Sequence, residues 1–422
     1  MLRLLYTLTM YLLTPVILYR LAARGLRYRR YLSRWKERFG FFPAPGFRNS
    51  SWVHAVSVGE VNAAAPLIRA LMQRYPDQPM VVTTVTPTGS ERVQKLFGDK
   101  VFHVYLPYDL PASVKRFLDR IKPRFAVIME TEIWPNLFIT CKERSIPIVV
   151  TNARLSERSL RGYGPVRPLA RRAIRCASFV AAQSPQDAER LRTLGAAVTR
   201  LAVIGNLKFD MQVPDNLPGM GAELREAWGA QRPVWIAAST HEGEELPVLK
   251  AHSMVLKRFP DALLLIAPRH PERFRAVASV CRSLGFITRV RSEKTAADAR
   301  TQCFVIDTMG ELLRFYAAAD IAFVGGSLEA IGGHNLLEPA ALGKPVIVGP
   351  HTFNTEEVAF SLIEARAALR VEDEAALGAT LSRLLAQADE RLAMGQAAQA
   401  VLDRERGAVE RTLRIVEQVL GE

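Results

Sequence analysis

Two series of short apolar runs, each alternating with helix-like stretches, constrain the fold of this chain more than any other feature. The first series lies at residues 53–56, 80–84, 101–106, 125–129, 148–151, 179–182 and 201–204. Helical spacing fills the gaps, as at 61–74 and 185–194. Brief, continuous apolar runs suit parallel strands buried on both faces. Their alternation with helices predicts a doubly wound α/β domain. The stretch GNLKFDMQVPDNLP (205–218) breaks the rhythm and reads as an interdomain linker. A second series follows at 235–238, 263–267, 304–306, 321–324 and 346–348, and helices then dominate to a last one at 408–420. At 422 residues, two or three domains are expected. The fold class is α/β, with two Rossmann-like domains facing a cleft. Ligands in such sheets bind outside the carboxyl ends of the strands.

Residues 4–19 (LLYTLTMYLLTPVILY) are apolar and uncharged, somewhat shorter than the roughly 20 residues of a usual span. A basic cluster follows, including Arg20, Arg24, Arg27, Arg29, Arg30 and Arg34. A secretory signal would carry its charge before the apolar run and end at a small-residue cleavage site. The expectation is an uncleaved membrane anchor, spanning or lying in the interface, with its C-terminal side cytoplasmic. A buried amphipathic helix is the alternative. The net charge of +14 calls for an anionic partner, and anionic lipid satisfies the cluster well. No nucleic-acid motif accompanies the charge, so a nucleic-acid partner is not expected. Cys141, Cys176, Cys281 and Cys303 form no C-x-x-C pair, which argues against a disulfide framework or structural zinc.

Polar residues collect at the predicted strand ends. Ser57-Val58-Gly59-Glu60 follows the first strand and opens a helix. Glu60 is either an ordinary first-turn acid or a general base, and the helix dipole should favour its ionised form. Glu130 and Glu132 follow the fourth strand, two acids that need solvent, a sugar hydroxyl or an arginine partner. Arg154, Arg158 and Arg161 open a basic run suited to phosphate or anionic lipid. In the second half, Arg269 and His270 follow one strand, and Arg269 is an always-charged candidate for a phosphate. Met309, Gly310 and Glu311 follow another. Gly332 and Gly333 precede His334 and Asn335, and Asn335 can cap a short helix bearing Glu338. Glycines at such a turn bring backbone N–H groups toward a phosphate, and a carboxylate one turn on can hold a ribose. No histidine has partners at zinc spacing, so no metal is expected.

In chain order the motifs are S-V-G-E, T-P-T-G-S-E-R, L-P-Y-D, M-E-T-E-I-W-P-N, N-A-R-L-S, L-K-F-D, S-T-H-E-G-E-E, P-R-H-P-E-R-F, D-T-M-G-E-L, F-V-G-G-S-L, G-G-H-N-L-L-E-P and G-P-H-T-F-N. This series closely resembles the 3-deoxy-D-manno-oct-2-ulosonic acid (Kdo) transferases of Gram-negative bacteria, over essentially the whole length. The resemblance implies a GT-B fold and transfer of Kdo from CMP-Kdo to a lipid A precursor, lipid IVA. It implies work at the cytoplasmic side of the inner membrane, without a cofactor. Residues 1–40 would be anchor and basic juxtamembrane segment, 41–207 the acceptor domain and 208–422 the donor domain, its last helix able to cross back. Glu60 matches the family's catalytic base. Arg269, His270, Met309, Gly310, Glu311, Gly332, Gly333, Asn335 and Glu338 match donor positions. Ser57, Gly59, Glu130, Glu132, Arg154, Arg158 and Arg161 are the acceptor candidates. Another membrane-surface GT-B enzyme with a UDP-sugar donor is the nearest alternative, and a non-catalytic binder of polyanion or lipid a more distant one.

Overall fold

The computed structural model describes residues 2–27, 29–293 and 297–422. The chain divides into two compact units: Met1–Met211 with Glu405–Glu422, and Gln212–Arg404.

The first unit is built on a seven-stranded sheet: β1 (Ser50–His54), β2 (Met80–Thr84), β3 (Phe102–Tyr105), β4 (Pro123–Met129), β5 (Ile148–Ala153), β6 (Phe179–Ala182) and β7 (Leu201–Val203). Its order is 3-2-1-4-5-6-7 and every pairing is parallel. Strands β1, β2 and β5 are buried along their whole length, which is why their apolar residues stand consecutively, as in Met80-Val81-Val82 and Ile148-Val149-Val150, rather than alternating. The chain winds outward from β1 to β3, then returns to β4 on the other side of β1. That reversal opens a crevice at the carboxyl ends of β1 and β4.

The second unit repeats the plan with β8 (Val234–Thr240), β9 (Leu263–Pro268), β10 (Thr288–Val290), β11 (Cys303–Val305), β12 (Ile321–Val324), β13 (Val346–Val348) and β14 (Ala368–Arg370). The order is 10-11-9-8-12-13-14, again parallel, so the reversal falls between β8 and β12. The two edge strands, β10 and β14, escaped the sequence reading. Each has three residues and is flanked by charge, so neither shows a buried strand's pattern.

The segment read as a linker is only partly one. Leu207 and Phe209 are buried in the first unit. Asp210 accepts hydrogen bonds from the backbone of Gly407 and Val409, at 2.6 and 2.7 Å, at the start of the last helix, Ala408–Leu420. That helix packs against the Val58–Arg74 helix of the first unit, and its Thr412 hydroxyl meets Thr151 of β5 at 2.9 Å.

The N-terminal helix runs Leu2–Arg27, and residues Leu2–Leu26 are long and apolar enough to cross a membrane, with mean hydropathy 1.4. Most of its side chains are exposed or half-buried, and Leu21 and Gly25 are buried against protein.

Candidate active site

At the first reversal, β1 ends and the Val58–Arg74 helix begins at Ser57. Glu60 stands in the first turn. One carboxylate oxygen accepts from the Val56 backbone N–H at 2.9 Å and the other from the Ser57 hydroxyl at 3.2 Å. The side chain is thereby held at the strand end, half-buried. A Cβ on Gly59 would meet nothing closer than the Ser57 hydroxyl, so the surface beside Glu60 is open.

The helix dipole does not set the charge of Glu60 as the sequence suggested. Burial pushes its carboxyl up to about 7, Glu130 and Glu132 add to the rise, and the bonds from Val56 and Ser57 only partly offset it. Losing water costs a carboxylate more than one helix end returns. The result is a stronger base than an exposed glutamate, placed near neutral pH.

Glu130 and Glu132 follow β4, the neighbour of β1. Among the described residues neither forms an ion pair with an arginine, contrary to one option left by the sequence. Glu132 accepts instead from the Trp134 indole at 3.1 Å. Glu130 holds a left-handed backbone (φ 55°), as do Asn152 in β5 and Ser239 in β8. Three of the eight non-glycine residues with positive φ among the described residues thus lie at carboxyl edges of the sheets. The Thr131 hydroxyl donates to the Arg154 carbonyl, which joins the loops after β4 and β5. Arg154 and Arg158 are exposed, and Arg161 is drawn to Glu157 at 3.3 Å.

Asp109, the acid of L-P-Y-D, was not singled out from sequence. It is buried and caps the Pro135–Glu143 helix, accepting from the backbone of Asn136 and Leu137 at 2.8 Å each. Its place before the Pro111–Ile121 helix gives no hint of a partner twenty-seven residues on.

At the second reversal, Glu244 follows β8. It is fully buried and accepts four backbone N–H bonds: His241 at 2.9, Gly326 at 2.7, Ser327 at 2.9 and Leu328 at 2.9 Å. The loop after β12 is thereby tied to the loop after β8. His241 and His334 stack with rings 5° from parallel, and His270 meets His241 edge-on at 5.1 Å between centroids. Burial, then the Arg269 guanidinium, then the neighbouring imidazoles push His334 down to about 4. Arg269 is exposed and has no hydrogen-bond or ionic partner for its guanidinium among the described residues. His241 and Glu244 belong to the S-T-H-E-G-E-E motif, but sequence reasoning gave neither a role in the site. Their signals were that motif and its place at a strand end.

Gly332 and Gly333 do not offer their amides outward as the sequence suggested. Both N–H groups turn back to the Gly326 carbonyl, at 2.9 and 2.6 Å. Gly332 has φ 107°, and a Cβ there would strike Phe353 and Asn354. The pair serves close packing of two loops rather than a phosphate cradle. Asn335 accepts from the Leu337 backbone at 3.1 Å and donates to Glu338 at 3.0 Å, which orients that carboxylate in the first turn of the Leu337–Ala341 helix. Met309 and Gly310 are exposed, whereas Glu311 is held by Arg291 at 2.9 Å and Thr308 at 2.5 Å.

Two doubly wound parallel sheets, each with its polar loops at the reversal point, define a GT-B-type fold. The fold alone is similar to UDP-GlcNAc 2-epimerase from Neisseria meningitidis, at TM-score 0.59 and 15% identity, over 87% of this chain and 100% of that one. The family described as 3-Deoxy-D-manno-octulosonic-acid transferase (kdotransferase) matches residues 33–211. The chain is 43% identical to the 3-deoxy-D-manno-octulosonic acid transferase of Haemophilus influenzae, over 99% of each. It is 38% identical to that of Bordetella pertussis, over 96% of this chain and 99% of the relative. The chain belongs to the Kdo transferase family and is a glycosyltransferase.

Proposed function

We propose that this enzyme transfers Kdo from CMP-Kdo to a lipid A precursor, lipid IVA, with inversion, at the cytoplasmic face of the inner membrane. The observation that carries the reading is Glu60: a half-buried carboxylate at the sheet reversal, held by two hydrogen bonds and raised to about 7. Glu60 takes the proton of a primary sugar hydroxyl as that oxygen bonds to the anomeric carbon of Kdo. The bond to the CMP phosphate breaks, and its electron pair leaves with CMP. The transition state has oxocarbenium character, as in inverting glycosidases.

The first unit serves the acceptor and the second the donor. The unpaired Arg269 meets the phosphate charge that grows as CMP leaves. Glu338, oriented by Asn335, accepts the ribose hydroxyls. Met309 and Gly310 lie against the nucleotide, and Glu311 shapes that loop through Arg291. On the acceptor side, Ser57 and Gly59 border Glu60, and Glu130 and Glu132 bind sugar hydroxyls. Arg154, Arg158 and Arg161 attract acceptor phosphate. A cavity of about 320 Å³ lined by Tyr6, Glu132, Ile133, Trp134, Tyr163 and Leu169 suits an acyl chain beside those acids.

Mass spectrometry of the lipid product tests the reading, with CMP-Kdo run beside UDP-sugars. The expected product is lipid IVA gaining Kdo, from CMP-Kdo alone. Transfer from a UDP-sugar, with none from CMP-Kdo, would overturn the donor assignment.

A further inference from the structure

The N-terminal helix touches the first unit along its entire length, on one face only. Its half-buried and buried residues include Arg3, Thr7, Met10, Thr14, Ile17 and Leu21, spaced by three or four. The exposed apolar residues include Leu5, Leu8, Leu12, Val16, Tyr19 and Leu26. At about 100° per residue these two sets form stripes on opposite sides of the helix.

The docked stripe is polar where it counts. Arg3 donates to Asn136 at 3.1 Å and Thr140 at 3.2 Å and pairs with Glu143. Thr7 donates to Asn136 at 3.2 Å, and Tyr6 to Asp109 at 3.0 Å. Farther along, Thr14 and Leu18 line a cavity with Phe39, Leu110 and Arg116. Near the C-terminal end, Leu21 is 7% exposed.

A helix of this length covers about 39 Å, enough to cross a hydrocarbon core of about 30 Å. Crossing in the docked pose would drag its neighbours into lipid. Arg116, Glu143 and the charged end of the Pro135–Glu143 helix lie against it, and such charges are costly at the centre of a span. Lying flat removes the conflict. The apolar stripe enters the acyl boundary, while Arg20, Arg24, Arg29 and Lys36, all exposed, meet anionic headgroups.

We propose that the Leu2–Arg27 helix lies in the plane of an anionic bilayer surface, fixed to the first unit by Arg3, Tyr6 and Thr7, and does not cross. The claim deepens the membrane-surface reading above, and its test does not depend on sugar transfer. The full-length enzyme carries an N-terminal epitope followed by a protease site, in a Gram-negative cell. Protease added to intact spheroplasts should leave the epitope untouched, and protease added to inverted inner-membrane vesicles should remove it. Removal in spheroplasts would mean that the helix undocks and crosses, and would overturn the proposal. As a second measurement, the Leu5→Glu/Leu12→Glu variant should lose at least tenfold in partition onto phosphatidylglycerol-containing vesicles, with its rate in detergent unchanged. Undiminished partition would overturn it too. An enzyme with a protected epitope but no Kdo transfer in detergent supports the topology and removes only the transfer reading.

Discussion

The Nε2 atoms of His241 and His334 lie 2.7 Å apart across near-parallel rings. At that distance one nitrogen carries a proton and the other presents its lone pair, so the two rings adopt different tautomers. The contact links the loop after β8 to the loop after β12, beside Arg269. His241→Ala should raise KM for CMP-Kdo about fivefold, from the loss of a hydrogen bond of ~1 kcal/mol, with little change in kcat. Steady-state kinetics at fixed acceptor would show it; an unaltered KM would detach the pair from donor binding.

Glu60→Ala should abolish transfer while CMP binding, read by calorimetry, survives. Because the base must be deprotonated, wild-type kcat/KM should climb with pH through about 7. A flat profile from pH 6 to 8 would remove Glu60 as the base.

The same burial has a stability consequence. Glu60 has a raised folded pKa, so the native state is penalised when the carboxylate ionises, above about 7, and not below about 4.5, where it is neutral in both states. Glu60→Gln should therefore be more stable by ~1–3 kcal/mol at pH 8 and equal to wild type near pH 4, in denaturant titrations. Equal stability at pH 8 would contradict the burial argument.

Glu338→Ala should weaken CMP about tenfold, as expected for loss of a charged hydrogen-bonding group worth ~1.5 kcal/mol. Isothermal titration with CMP reads this directly, and unchanged affinity contradicts the ribose role.

Glu244→Gln should cost ~3 kcal/mol. An amide nitrogen would then face backbone N–H donors that now share two oxygens. Calorimetry should show a lower melting temperature for the second unit. An unshifted transition would mean that the loop closes without this carboxylate.

Much of the architecture was legible in the chain. Buried parallel strands carry short apolar runs, so β2, β6, β12 and β13 were placed to the residue. The last helix was read at its observed ends because its apolar stripe and flanking glycines mark them. The site residues were legible as types at strand ends, but not their partners. Nothing local shows that Gly332 and Gly333 bond to Gly326, or that Leu207 and Phe209 make part of the linker a core element.

The sequence by itself determined the alternation of strands and helices, the two sheets and the family, because each depends on residue type and order. Which strands are neighbours was decided only by the tertiary structure. That neighbourhood puts Glu60 near Glu130 and Glu132, stacks His241 on His334, and turns one stripe of the first helix to protein. Burial and charge interaction act through space, so the basicity of Glu60 came first from its burial and then from Glu130 and Glu132, some seventy positions away in the chain.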